Sequence, residues 1–566
     1  MKPLLLQLAW SLIFLLSLGI FNSTQAQTIS PPLQAHIDSL FLTWNSTKTP
    51  GTVIAVIRDG QVLYQRAYGM ANIKKKEPLT TNHSFWIASM AKQFTAMSIA
   101  LLEEQGKLCA SDDIRKYLPE LPDLGETVRI EHLIHHTSGL RDGFTLVGLT
   151  FKGEKQYTNA NVLAAMTRQN NLNFKPGERY EYLNGGYVLL AEIVARVSGM
   201  SFPEFTEQTI FRPLGMNHSR FYGNFKETIP GLVKGYGVNY KKGKVRYRQS
   251  EFQGNTVGSS GLVTTLADLI KWNENFYQNK LGKGSPTLIT KILTPGTLNN
   301  GQVSRYAYGL EVAPYKEYLA TSHSGSDPGY KAEMVRFPEQ KVTVIGLANT
   351  DDMYSLTPNL LHVGESVIQN KVIPEIAGFN GLPNKDLSKL TGIYLNSANN
   401  QELAIITHEN EKLFSATSFN GYKAPLTALA PQVYQNQGLK EYELRFISSE
   451  DGQVNTLQQT PIREDGFLLQ KVAPQELTIA QLKTYAGKYY SSELKKTYHL
   501  VVRKEKLGLL LYKVVFIPFQ PIEGNRFLAD LIGNNTLVFS SNTAGIPTGF
   551  TFNRTAITNL QFIRKK

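Results

Sequence analysis

Ser84-Phe85-Trp86-Ile87-Ala88-Ser89-Met90-Ala91-Lys92-Gln93-Phe94-Thr95-Ala96 is the stretch whose reading decides the fold. Apolar residues recur at Met90, Phe94, Met97 and Leu101, the steps of one helix face, and Gly106 supplies a stop. On a helix, positions i and i+3 share a face, so the Ser89 hydroxyl and the Lys92 amine meet. A serine hydroxyl is a poor nucleophile without a base beside it. A lysine becomes that base when burial or a cationic neighbour lowers its pKa. A helix N-terminus also favours negative charge developing on the serine oxygen.

Ser-x-x-Lys alone is weak, because Ser492-Glu493-Leu494-Lys495 repeats it in a β-rich tail. The strand and loop pattern there gives no reason to hold the pair together, and we read that match as chance. Tyr-x-Asn is weaker still, occurring at Tyr157, Tyr182, Tyr277, Tyr394 and Tyr434, and His-x-Gly occurs at His323 and His362. Context separates them. Tyr182-Leu183-Asn184 directly precedes a buried helix over residues 187–198, with Leu190, Ile193, Val194 and Val197 on one side and Gly199 as the stop. His323-Ser324-Gly325 stands at the entry to late strands, followed by Asp327-Pro328-Gly329.

Working outward, residues 51–69 read as a hairpin about Asp59-Gly60. Strand signals return at Lys331–Phe337 and Val342–Leu347, around Pro338-Glu339-Gln340. Strands at both ends with helices between predict an α+β unit, one antiparallel sheet flanked by helices, over residues 27–375. Residues 376–385 read as a linker. Beyond it the chain repeats itself. Leu387-Ser388-Lys389-Leu390-Thr391-Gly392-Ile393-Tyr394 matches Leu482-Lys483-Thr484-Tyr485-Ala486-Gly487-Lys488-Tyr489, and Phe446 precedes Gly452 by the interval that separates Phe539 from Gly545. Two small all-β, barrel-like repeats are expected, over 386–474 and 475–566. They would cover the catalytic unit, shape access or mediate assembly. Tyr394 and Tyr489 are read as core packing rather than as platforms for cell-wall polymer.

At this point a resemblance enters. The nucleophile stretch, Ile130-Glu131-His132-Leu133-Ile134-His135-His136-Thr137-Ser138-Gly139-Leu140, Phe211-Arg212-Pro213-Leu214-Gly215-Met216 and Gly261-Leu262-Val263-Thr264-Thr265-Leu266-Ala267-Asp268-Leu269 follow one another in an order that resembles the serine β-lactamase and penicillin-binding family. The branch is that of class C β-lactamases, D-alanyl-D-alanine carboxypeptidases, D-aminopeptidases and related esterases, and the likeness covers roughly residues 33–370. The resemblance implies an acyl-enzyme on Ser89, with Lys92 taking its proton. It implies a proton relay through Tyr182, and Asn184 bonded to Lys92 and the substrate amide. It places His323 in the third motif, with Gly325 letting substrate lie close to the strand. The backbone N–H groups of Ser89 and Ser326 would hold the oxyanion. Where many β-lactamases carry lysine, this chain carries His323, mostly neutral near pH 7, which argues for peptidase or esterase activity over efficient β-lactam hydrolysis. A β-lactamase and a non-catalytic penicillin-binding or sensor protein stay as alternatives.

Among 566 residues there is a single cysteine, Cys109, which excludes an internal disulfide and reads as a partly buried structural residue. His132, His135 and His136 lack the acidic partners of a metal site and read as structural, behind the nucleophile. No cofactor is implied. Lys2, the apolar run Leu4–Ile20 and Thr24-Gln25-Ala26 read as a cleaved signal over residues 1–26, which predicts export to the periplasm or outside, with no later membrane span. The net charge of +13 suits an anionic envelope polymer. Basic tracts are limited to Lys74-Lys75-Lys76 and Arg564-Lys565-Lys566, so nucleic acid is not expected as a partner. The expected partner is a small peptide or ester, of cell-wall type.

Overall fold

The computed structural model describes residues 28–153, 157–224, 227–241, 244–250, 256–351, 356–373, 387–396, 400, 403–416, 423–436, 442–450, 452–461, 466–531 and 533–565. The signal over 1–26 and the linker over 376–385 lie outside the described residues.

Six strands form the expected sheet: β1 (Thr52–Arg58), β2 (Gln61–Tyr68), β3 (Glu311–Tyr315), β4 (Tyr318–Asp327), β5 (Tyr330–Phe337) and β6 (Val342–Ala348). Their order is β3-β4-β5-β6-β1-β2, antiparallel throughout, so the early hairpin closes onto the last strand. Asp59 and Gly60 both take positive φ, as a tight hairpin turn requires. Side chains alternate across β1. Ile54 and Val56 meet α1 (Pro31–Ser39) and the last helix of this unit, Leu356–Gln369, while Val53, Ala55 and Ile57 face the larger helical half. Within that half, α2 (Lys92–Glu104) is buried from Lys92 through Leu102, which makes it a core helix. The second helix, α3 (Asn184–Ser198), starts three residues earlier than the sequence pattern suggests. Gly185 lies in its first turn, and glycine is needed there because a Cβ would meet Met166 Sδ at 2.9 Å and the Gly143 amide nitrogen at 2.9 Å. His323 also differs from expectation. It lies inside β4, not before the strands.

The repeat is real in three dimensions. Eight strands from Gly392 to Val472 close into a barrel, and nine strands from Gly487 to Arg564 form a nearly closed sheet whose two edge strands, Val515–Pro518 and Gln520–Ile522, are consecutive in the chain. Tyr394 Oη donates to Leu390 O at 2.9 Å, and Tyr489 Oη donates to Tyr485 O at 2.9 Å. Each ring also makes an edge contact with its own repeat's phenylalanine, Phe446 at 5.9 Å and Phe539 at 6.0 Å. Both tyrosines are fully buried, so packing is their role. The first barrel keeps its own core and meets the second through a small cluster of Ile393, Leu395, Val472, Ile522 and Leu528. The second shares one continuous core with the α+β unit, and Tyr498 Oη donates across the junction to Leu149 O at 2.9 Å. Cys109 corrects its expectation. It is exposed, on the turn after α2, with Sγ 3.0 Å from Ser111 Oγ.

Candidate active site

Ser89 sits in a short 3-10 turn, Ala88–Ala91, that runs directly into α2. Ala88 before it has φ 47°, an uncommon conformation for a residue with a Cβ, of the kind that clusters at working sites. The turn is pressed against β4. A Cβ on Gly325 would lie 2.1 Å from the Ile87 carbonyl oxygen, so only glycine lets strand and nucleophile turn approach this closely. The sequence reading had Gly325 make room for substrate; the neighbour it admits here is the turn itself.

Lys92 lies at the centre of the cluster. Its Nζ is 3.0 Å from Ser89 Oγ, 2.8 Å from Asn184 Oδ1 and 2.8 Å from Ser259 O. The last two atoms only accept, so they occupy two N–H bonds. The third direction points at Ser89 and holds either a proton or the lone pair that takes one. Lys92 is wholly buried, and burial pulls its pKa down to about 7, with Asp327 and Asp142 opposing the fall. The ring of Tyr182 lies 4.8 Å from Nζ. Burial raises the Tyr182 pKa, with a bond to Ser89 working the other way, so the phenol keeps its proton near neutrality. His323 is buried. Its Nε2 is 2.8 Å from Tyr306 Oη and its Nδ1 2.6 Å from Ser324 O. A carbonyl can only accept, so Nδ1 carries a proton, and in a neutral ring Nε2 would take the Tyr306 hydroxyl. Ser326 is exposed on the same strand. β4 pairs with β3 only as far as Ser322, so among the described residues His323–Asp327 keeps an edge without a strand partner.

The structure therefore brings Ser89, Lys92, Tyr182, Asn184, His323 and Gly325 together from the 3-10 turn and the start of α2, the segment that leads into and opens α3, and β4. Sequence reasoning missed Tyr306, the Ser259 carbonyl and Asp327. The run Gly258-Ser259-Ser260-Gly261 was a usable signal for Ser259, since Gly258 and Gly261 both take positive φ against neighbouring backbone. The three histidines diverge. His132 Nδ1 accepts from Arg129 N–H, His135 Nδ1 meets Tyr306 O, and His136 packs against Tyr182.

The turn between the last two strands of the second β unit lies two hydrogen bonds from the residues beside Tyr182 and Asn184. Asp142 N–H donates to Ala556 O, while Asp142 Oδ1 accepts from Gly185 N–H. Thr558 N–H donates to Asn173 Oδ1, and Asn173 Nδ2 donates to Glu181 Oε1.

A family model described as beta-lactamase matches residues 28–360. The chain belongs to the beta-lactamase family. Relatives in this serine-hydrolase family include penicillin-binding protein 4* of Bacillus subtilis, 31% identical over 398 residues, 67% of this chain and 86% of that protein. D-aminopeptidase of Gluconobacter oxydans is 28% identical over 305 residues, 53% of this chain, and the match spans only 56% of that enzyme. Among solved structures, the octameric penicillin-binding protein homologue from Pyrococcus abyssi gives a TM-score of 0.55 at 25% identity, covering 78% of this chain and 99% of that one. The D-amino acid amidase from Ochrobactrum anthropi shares the fold, with a TM-score of 0.51 at 22% identity over 60% of this chain and 99% of its own.

Proposed function

We propose that this chain is an exported serine hydrolase that opens amide or ester bonds through an acyl-enzyme on Ser89, with small peptides containing D-amino acids as the substrate class. The observation that carries the reading is the buried amine of Lys92 at 3.0 Å from Ser89 Oγ, with its other N–H bonds already spoken for. In the neutral amine the remaining lone pair removes the serine proton as Oγ attacks the carbonyl carbon. Tyr182 then passes a proton to the leaving nitrogen or oxygen and recovers one from the Lys92 side. The backbone amides of Ser89 and Ser326 hold the oxyanion, each such donor contributing about 3 kcal/mol. Water reverses the sequence and frees the acid.

The open edge of β4 supports an extended, peptide-like substrate laid beside His323–Asp327. The penicillin-binding protein and D-aminopeptidase relatives support a small amide. His323, bonded to Tyr306 and its own strand, supplies no fixed cation for a β-lactam carboxylate. No helix among the described residues is long and apolar enough to cross a membrane.

The test is covalent labelling. Wild type and Ser89→Ala are incubated with a fluorescent penicillin and a short-chain p-nitrophenyl ester. The expected result is a mass shift or turnover in wild type that vanishes in the variant. Reaction surviving in Ser89→Ala, or no reaction with these reagents and with D-amino acid peptides, overturns the reading. Export is tested by fractionating cells and sequencing the N-terminus, with Gln27 expected first.

A further inference from the structure

His136 holds the Tyr182 segment on both sides. Its carbonyl oxygen accepts from Glu181 N–H at 2.8 Å, and its Nδ1 accepts from Leu183 N–H at 3.0 Å. Those two amides bracket Tyr182. The imidazole lies 4.3 Å from the Tyr182 ring, centroid to centroid. His136 is fully buried and has φ 58°, so the chain accepts an uncommon backbone conformation to put the ring there.

The geometry also sets the tautomer. A backbone N–H can only donate, so Nδ1 carries no proton and Nε2 carries the one of the neutral ring. Nε2 has no hydrogen-bond partner among the described residues. The ring is enclosed by those of Tyr306 at 4.5 Å, Tyr187 at 5.1 Å and Tyr180 at 6.0 Å. Aromatic faces accept an N–H weakly, which suits a neutral ring. A second proton on Nδ1 would expel the Leu183 amide. Burial, first of all, holds the pKa well below the ordinary histidine range.

We propose that His136 is a positioning residue for Tyr182: a permanently neutral, single-tautomer acceptor that fixes where the phenol stands relative to Ser89 and Lys92. It touches neither substrate nor the reacting hydroxyl and acts only through residues 181–183. Its kinetic consequence rests on the acyl-enzyme reading above, while its tautomer does not.

The experiment uses the full chain, labelled with 15N-histidine, with His136→Asn and His136→Ala as variants. Asparagine tolerates positive φ and carries an oxygen where Nδ1 stood. The His136 signal, assigned by its loss in the variants, is expected to show a bare Nδ1 and a protonated Nε2 unchanged from about pH 5.5 to 8.5. With the ester substrate, His136→Ala is expected to lower kcat about 100-fold with KM nearly unchanged, the size of effect a misplaced catalytic group produces. His136→Asn is expected to stay within about fivefold of wild type. An Nδ1–H tautomer, titration in that window, His136→Ala within about threefold of wild-type kcat, or a folded His136→Asn that falls as far as alanine each overturns the proposal. If His136→Ala does not fold, the asparagine variant and the spectrum decide. If wild type turns over no reagent, the acyl-enzyme reading fails, and the spectrum still decides the assignment of His136.

Discussion

Ser89-Met90-Ala91-Lys92 and Ser492-Glu493-Leu494-Lys495 are spelled alike and built for opposite ends. In the first, a 3-10 turn running into a core helix brings Nζ to 3.0 Å from Oγ, with the lysine wholly buried. In the second, the four residues form the turn between two strands of the second β unit, and Ser492 and Lys495 are exposed while Glu493 and Leu494 are buried. Glu493 meets Arg141 of the catalytic unit, whose Nη1 lies 2.5 Å and 2.6 Å from its two carboxylate oxygens. Ser492 accepts from Asn170 Nδ2 at 3.2 Å. The second match, read as chance chemistry, is a docking turn. The lesson is that i and i+3 make a reactive pair only where the backbone puts them on one face and the surroundings exclude water from the amine.

The largest effect that would break this contrast is at the first site. Lys92→Ala is expected to lower acylation by 10³-fold or more, an order-of-magnitude figure for losing a nucleophile's base, while Lys495→Ala leaves it unchanged. Stopped-flow acylation with the reagent that labels Ser89 measures both. Equal loss in the two variants would sink the comparison.

Next in size is the docking turn. Glu493→Ala leaves the Arg141 guanidinium, itself 1% exposed, facing only the carbonyls of Thr558 and Asn559. Breaking a buried pair on one side costs about 3–5 kcal/mol, against about 0.5 kcal/mol or less for Ser492→Ala on the surface. Urea unfolding measures both. Arg141→Met with Glu493→Leu should recover most of the loss, because paired apolar replacements leave no charge stranded.

A smaller effect sharpens the account of Lys92. If the proposed acyl-enzyme route holds, the amine works unprotonated; with its pKa pulled down to about 7, kcat/KM should rise about tenfold per pH unit below 7 and level off above it. Asp327, whose carboxyl burial pushes up to about 7, titrates with it as a pair. Its charge raises the Lys92 pKa, so Asp327→Asn should move the rising limb to lower pH. A limb that stays in place would remove Asp327 from the account.

Much of this was legible in the sequence, for physical reasons. The i, i+3 geometry of Ser89 and Lys92, the hairpin at Asp59-Gly60 and the duplicated Gly-x-Tyr motif are local patterns, and local patterns survive without the fold. What escaped depended on tertiary contacts. The start of the helix at Asn184 rather than residue 187 shows only once Met166 and the Gly143 backbone take the space a side chain on Gly185 would need. The Ser259 carbonyl is one of many until Lys92 reaches it from 167 residues away. Glu493 looks like a surface charge until Arg141 arrives from 352 residues away.

The smallest effect separates the two β repeats. Tyr394→Phe and Tyr489→Phe each remove one buried hydroxyl that donates to the carbonyl four residues earlier, at a cost of about 1 kcal/mol. The local losses are equal because the contacts are equivalent, but the cores around them are not. The described tryptophans, Trp44, Trp86 and Trp272, lie in the catalytic unit, so their fluorescence reports that unit alone. The core of the second repeat is continuous with that of Trp86 and Trp272, so Tyr489→Phe should shift the fluorescence transition by about 1 kcal/mol. The first repeat has a core of its own, so Tyr394→Phe should leave the fluorescence transition in place and show only in far-ultraviolet circular dichroism. If both variants moved the fluorescence transition equally, the two repeats would be equally coupled to the catalytic unit, and the distinction drawn from their cores would fall.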